Sequence, residues 1–314
     1  MVRKLSWALL GLVVALLVLP PLWYTAFPPP DPPPLPPPGR RVELPSGITL
    51  NVVEEGEGPP LVLVHGLPGT AYDWRVLQAE LAKRGFRVLA YDRAGYGRSA
   101  ARPEGAAHSI SANVDDLETF LEVMSLDDAT VVGWSYGGAT ALAAASEGSE
   151  RMKRMVLVGT AGPTSPQAEP PDEPPAFIRF LYSDPVLAWR ARVPPFTRAL
   201  MVGATDAAFS GRPYPDWWLP SVEANFSRPE TVATYKAEMF QPIDADGFAP
   251  DRIDVPTLLI HGGDDRLVPV AVSQYLSTAI PDARAEIVLE GSHMLPITHA
   301  PLLADSIEAF VRAN

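Results

Sequence analysis

Six short apolar runs punctuate this chain: Leu61 to Val64, Arg87 to Tyr91, Thr130 to Gly133, Met155 to Val158, Thr257 to Ile260 and Ala285 to Leu289. Each is four or five residues long, with glycine, proline or a polar residue within two positions of each end. That length predicts buried strands, because a helix needs roughly ten residues or more. Val42 to Glu54 reads as a strand pair turned at Pro45-Ser46-Gly47. Elsewhere the apolar positions recur at helical spacing, over Trp74 to Lys83, Ala112 to Met124 and Ala139 to Glu147. Near the end, Leu302, Leu303, Ile307, Phe310 and Val311 fall on one side of a helix from Pro301 to Arg312. Strands alternating with helices predict an α/β fold around a mostly parallel sheet, and no fixed-period repeat is visible.

The alternation breaks in two places. Between Val158 and Thr257 lie about a hundred residues without comparable strands, far more than a simple connection needs. They predict an inserted helical cap over 162–250, with a proline-rich, irregular entry over 163–175. The density of Phe, Tyr and Trp beyond that entry suits mostly the cap's own core. A few of these aromatics are expected to line a dry pocket for an apolar small-molecule substrate.

The second break is at the start. Leu5 to Phe27 is an apolar run that as a helix would span roughly 35 Å, enough for a bilayer core of about 30 Å. Arg3 and Lys4 before it predict a cytoplasmic N-terminus, a single membrane anchor and a catalytic domain on the extracytoplasmic side. The alternative is a signal peptide and a secreted protein, but Tyr24-Thr25-Ala26 places tyrosine where a cleavage site wants a small residue. Nine prolines among the eleven residues Pro28 to Pro38 predict an extended spacer holding the domain off the membrane. The chain therefore divides into an anchor or signal segment over 1–27, a spacer over 28–40, a core over 41–161 and 251–314, and the cap.

Charge sharpens this division. Four of the 25 basic and one of the 37 acidic residues fall in the first 41, so the −12 of the whole chain becomes −15 for the remainder. So acidic a domain argues against nucleic acid or anionic lipid as a partner. The absence of cysteine excludes disulfides and argues against a structural zinc site.

Candidate chemistry centres on Val131-Val132-Gly133-Trp134-Ser135-Tyr136-Gly137-Gly138, where a strand-like run meets G-x-S-x-G and an alanine-rich helix. This is the pattern of a nucleophile elbow, in which only glycine-sized neighbours let the chain turn so sharply. A serine hydroxyl needs a base and a group that orients the base, expected in the order Ser, acid, His. Of five histidines, His65 and His261 end strand-like runs and read as structural. His108 and His299 lack an acid placed to orient them. His293, in Gly291-Ser292-His293 after the last predicted strand, is the candidate base. The acid is Asp264 or Asp265, in Gly262-Gly263-Asp264-Asp265-Arg266, and the residues alone do not separate the two.

These blocks, with His65-Gly66-Leu67-Pro68-Gly69 and Tyr91-Asp92-Arg93-Ala94-Gly95-Tyr96-Gly97-Arg98-Ser99, resemble the α/β-hydrolase superfamily in its helical-cap branch, over residues 41–314. The resemblance implies a mostly parallel eight-stranded sheet and a serine hydrolase of the esterase or lipase type, without metal or cofactor. It implies Ser135, Asp265 and His293 as the triad, and the backbone amides of Leu67 and Tyr136 as the oxyanion hole. Asp92 and Arg93 read as loop ties. His-Gly-x-Pro also resembles epoxide hydrolases and haloalkane dehalogenases, which carry aspartate at the position of Ser135. Lactonases, amidases and carbon-carbon bond hydrolases share the triad. A non-catalytic binding protein on this scaffold is the alternative of another class.

Overall fold

Apart from residues 1–14, 16, 29, 166–175 and 242–247, the computed structural model describes the whole chain. Its strands are β1 (Arg40–Glu43), β2 (Thr49–Glu55), β3 (Pro60–Val64), β4 (Arg87–Tyr91), β5 (Ala129–Trp134), β6 (Met152–Val158), β7 (Thr257–Gly262) and β8 (Ala283–Val288). Helices α1 (Arg75–Lys83), α2 (Ile110–Val123) and α3 (Tyr136–Ser146) lie between strands. Between β6 and β7 come α4 (Ala176–Leu181), α5 (Asp184–Arg190), α6 (Pro194–Ala208), α7 (Trp218–Phe226) and α8 (Pro229–Phe240). The chain closes with α9 (Ala271–Ala279), α10 (Leu295–Thr298) and α11 (Ala300–Ala313).

Among the described residues the strands form an eight-stranded sheet in the order β1-β2-β4-β3-β5-β6-β7-β8. The pairs β1–β2 and β2–β4 are antiparallel, and β4 through β8 pair in parallel. Side chains alternate across a strand, and here both faces are covered. Val62, Val64, Leu89, Tyr91, Met155 and Leu157 pack with residues of α2, α3 and α9. Their neighbours Leu61, Leu63, Val88, Ala90, Val156 and Val158 pack on the other face with α1 and α11. Each fully buried Val, Leu or Met side chain among these stabilises the fold by about 1.5–3 kcal/mol, so the runs are apolar at nearly every position.

Several boundaries depart from the hydropathy pattern, as where β6 starts at Met152 rather than Met155. β8 is an edge strand and only partly buried; Leu289, the apolar end of the expected run, is 82 % exposed. α3 starts at Tyr136, not Ala139, because β5 turns into the helix at a single residue.

The spanning helix expected over Leu5 to Phe27 falls partly outside the described residues. Residues 17–26 are helical. No helix among the described residues is long and apolar enough to cross a membrane, so the described chain gives that expectation no support. Pro21 has no N–H to offer the Leu17 carbonyl one turn earlier. That carbonyl instead accepts from Trp189 Nε1 of α5 at 2.8 Å. Nor does the spacer stand free along its whole length. Arg98 donates from Nε to the Pro36 carbonyl at 2.6 Å and from Nη2 to the Leu35 carbonyl at 3.1 Å, and this fastens the end of the spacer to the core.

Candidate active site

Ser135 is the single residue between β5 and α3, with φ 56° and ψ −119°. A non-glycine residue there stores strain of about 1–3 kcal/mol, held in place only by its surroundings. The crowding is severe. A Cβ on Gly137 would lie 2.1 Å from the Val64 carbonyl oxygen, and one on Gly133 would lie 2.5 Å from that of Gly137. The Ser135 amide donates to the Val158 carbonyl, and the Ser135 carbonyl accepts from the Ala161 amide, each at 3.1 Å. Both sides of the turn are thus tied to β6 and the segment after it.

Asp265 and His293 meet beside this turn. His293 Nδ1 lies 2.7 Å from Asp265 Oδ2. The carboxylate accepts, so Nδ1 carries the proton and Nε2 is left as the basic nitrogen. Asp265 Oδ1 accepts from the amides of Leu267 and Val268 at 2.8 and 2.9 Å. His261 Nε2 approaches Oδ2 to 3.4 Å and the Val268 carbonyl to 3.1 Å, while its Nδ1 accepts from the Ser273 hydroxyl at 2.7 Å. Burial pushes the Asp265 carboxyl up, but the hydrogen bonds from His261, His293 and the Val268 amide outweigh it and hold the group ionised well below the usual carboxylate range. Asp264 points elsewhere, to Arg212 at 2.8 Å. Trp134 Nε1 donates to the His293 carbonyl at 3.0 Å, so the residue before Ser135 also fixes the histidine loop.

The space at the dyad is set by Gly159, with φ 49°. A Cβ there would touch Asp265 Oδ2 and His293 Nδ1, each at 3.4 Å. Ser135 Oγ makes no hydrogen bond among the described residues, His293 included.

On the opposite side runs the loop after β3. A Cβ on Gly66 would fall 2.7 Å from Ser135 Cβ and 3.3 Å from its Oγ, so this loop lies directly against the serine. The Leu67 amide has no acceptor among the described residues. Tyr136 opens α3, where a first-turn amide lacks an intrahelical partner. His65 is buried, and its Nδ1 donates to the Gly66 carbonyl at 2.8 Å while Nε2 accepts from the Arg93 amide at 2.9 Å. Burial, together with the nearby Arg93 charge, lowers its pKa and keeps it neutral. His299 Nδ1 pairs with the Thr298 hydroxyl at 2.8 Å, and His108 Nδ1 is buried without a hydrogen-bond partner among the described residues.

Asp92 and Arg93 tie loops together. Asp92 accepts from the amides of Ala71 and Arg98 at 2.7 and 2.8 Å and from Asn51 Nδ2 at 2.9 Å. Asp73, also buried, accepts from the Thr70 amide at 2.8 Å. Burial is the main cause that raises its pKa to about 7; the Thr70 amide opposes this and the Asp92 charge adds to it. A carboxyl held above its unfolded pKa favours folding when protonated. Its contribution is therefore full below about pH 4 and falls as pH rises towards about 7. Asp73→Asn keeps an oxygen for Thr70 and removes the charge. Its stability relative to the parent is expected to improve by on the order of 3 kcal/mol between pH 4 and 8, read by denaturant unfolding at each pH. A pH-independent difference would contradict this.

Sequence reasoning assigned no function to His261, Trp134 or the cap residue Glu238. His261 was visible as the end of a strand, but its contact with Asp265 depends on the turn that follows.

The fold and this geometry define the class. Residues 59–300 match the alpha/beta hydrolase fold family, and the chain belongs to that family. Among curated relatives it is 30 % identical over 280 residues to the 2-hydroxymuconate semialdehyde hydrolase of Pseudomonas sp. (strain CF600), covering 87 % of this chain and 93 % of that one. Among solved structures it resembles a serine hydrolase involved in carbazole degradation, with TM-score 0.70 and 26 % identity over 88 % of this chain and 98 % of that one. An esterase from Exiguobacterium antarcticum shares the fold, with TM-score 0.71 and 21 % identity over 87 % of this chain and 99 % of that one. The protein is a hydrolase of this family.

Proposed function

We propose that this hydrolase cleaves carboxylic esters, or related acyl compounds, of apolar small molecules through an acyl-enzyme. The observation that carries the reading is a strained serine set between unpaired backbone amides and an Asp265–His293 pair. His293 Nε2 takes the Ser135 proton as Oγ attacks the carbonyl carbon. The negative oxygen that forms is stabilised by the amides of Leu67 and Tyr136. The intermediate collapses, the alcohol leaves with the proton held by His293, and the acyl group stays on Ser135. Water then attacks with His293 as base, and release of the acid restores the serine. Asp265, ionised throughout, keeps the imidazole proton on Nδ1 and steadies the imidazolium.

The apolar preference is supported by the cap. Phe209 and Trp218 are buried in the same cluster as Trp134 and Met294, which flank the serine and the histidine in sequence. A second reading, hydrolysis of a carbon-carbon bond, is favoured by the semialdehyde hydrolase relative. The two are separated by giving the enzyme p-nitrophenyl esters of graded chain length and, in parallel, a vinylogous diketone. Nitrophenolate release that rises with acyl length supports the ester reading. Turnover of the diketone with inert esters would replace it.

A further inference from the structure

Glu238 belongs to the cap, yet its bonds go to the core. Its side chain is 1 % exposed, as is that of its partner Arg93. Oε1 accepts from Arg93 Nη1 at 2.6 Å and from Asn113 Nδ2 at 3.0 Å, and Oε2 from Arg93 Nη2 at 3.1 Å and Tyr96 Oη at 2.8 Å. A carboxylate and a guanidinium this deeply buried are tolerable only when every lobe is bonded, and removing one partner strands the other. α8 is therefore seated on the core through a buried charge pair, alongside the Thr231 hydroxyl, which donates to the Gly95 carbonyl at 2.9 Å.

The far side of Arg93 reaches the loop against Ser135. Its Nε donates to the His65 carbonyl at 3.1 Å, and Nη2 makes a long contact of 3.5 Å to the Gly66 carbonyl. Its backbone amide occupies His65 Nε2, which leaves Nδ1–H for the Gly66 carbonyl. Gly69 donates to that same carbonyl at 3.0 Å. The carbonyl of Gly66 and the amide of Leu67 share one planar trans peptide unit, in which they point in opposite directions. Holding the carbonyl therefore aims the amide. The guanidinium also lies 4.7 Å from the ring of Tyr136, the residue that supplies the second amide.

We propose that Arg93, held by Glu238 of the cap, is a positioning residue that aims the Leu67 amide at the reacting oxygen, so that seating the cap and assembling the oxyanion site are one event. The inference rests on the reading of Leu67 and Tyr136 as oxyanion donors. Substrate that wedges α8 from the core would loosen the donor as well, so only a closed cap would be reactive.

Two variants test it. Arg93→Lys keeps a charge for Glu238 but lacks the planar fork that spans Glu238 and the His65 carbonyl. The double variant Arg93→Met with Glu238→Leu removes both charges together and leaves an apolar contact, so neither charge is stranded. Both are assayed on p-nitrophenyl butyrate alongside melting temperature. The expected result is a fall in kcat of about tenfold or more with KM within about threefold, in folded protein, because the lost interaction acts in the transition state. Binding of a boronic acid, which forms a tetrahedral adduct on the serine, should weaken in parallel. Parent-like kcat in either folded variant would overturn the proposal. Failure of both to fold would also overturn it, since the pair would then be a determinant of stability. If the parent's Ser135 fails to react with a fluorophosphonate, the reading of the site is wrong, whatever the variants do.

Discussion

Ser135→Ala is expected to lower kcat on a p-nitrophenyl ester by on the order of a millionfold while leaving the fold intact. Losses of that size follow removal of a nucleophile whose partners act as a unit. The alanine fits the same backbone, because what Ser135 contributes to the turn is its strained φ of 56° and its main-chain bonds to Val158 and Ala161, not its hydroxyl. Melting temperature should change little. A variant that keeps even a tenth of the parent rate would remove serine from the chemistry.

Asp265→Asn should lower kcat by about ten-thousandfold, through the wrong imidazole tautomer. An amide nitrogen facing His293 Nδ1 would push the ring proton to Nε2, the atom needed as base. Asp264→Asn is the matched control. Its partner Arg212 is 35 % exposed, and such a pair contributes about 1 kcal/mol at most, so activity should stay within a few-fold of the parent. Steady-state kinetics of the two variants, with circular dichroism to confirm folding, decides between adjacent aspartates. Equal losses in both would contradict the assignment.

That pair also marks where sequence reasoning stops. The apolar runs revealed the parallel strands because both faces of the sheet are covered, and a strand such as Leu61 to Val64 must then be apolar at every position. β8 was blurred because it is a half-exposed edge, so the apolar run Ala285 to Leu289 starts two residues after the strand does and ends one residue beyond it. Ser135 and His293 stood out because glycines flank the serine turn and the histidine loop. Asp264 and Asp265 have the same composition around them, and only the turn that brings the Leu267 and Val268 amides onto Asp265 separates them. Arg93 and Glu238 lie 145 residues apart, and no spacing rule connects a core loop to a cap helix over that distance. The proline-rich stretch over 28–38 was legible as such. Its attachment through Arg98 was not, since proline carbonyls accept hydrogen bonds from any donor that the fold brings near.

The central claim is that Ser135 carries the acyl group. Incubating the parent protein with a fluorophosphonate and mapping the adduct by peptide mass spectrometry tests it most directly. A single adduct on the peptide containing Ser135, absent in His293→Ala and in heat-denatured protein, is the predicted result. No adduct, or one on another residue while activity is lost, would contradict it.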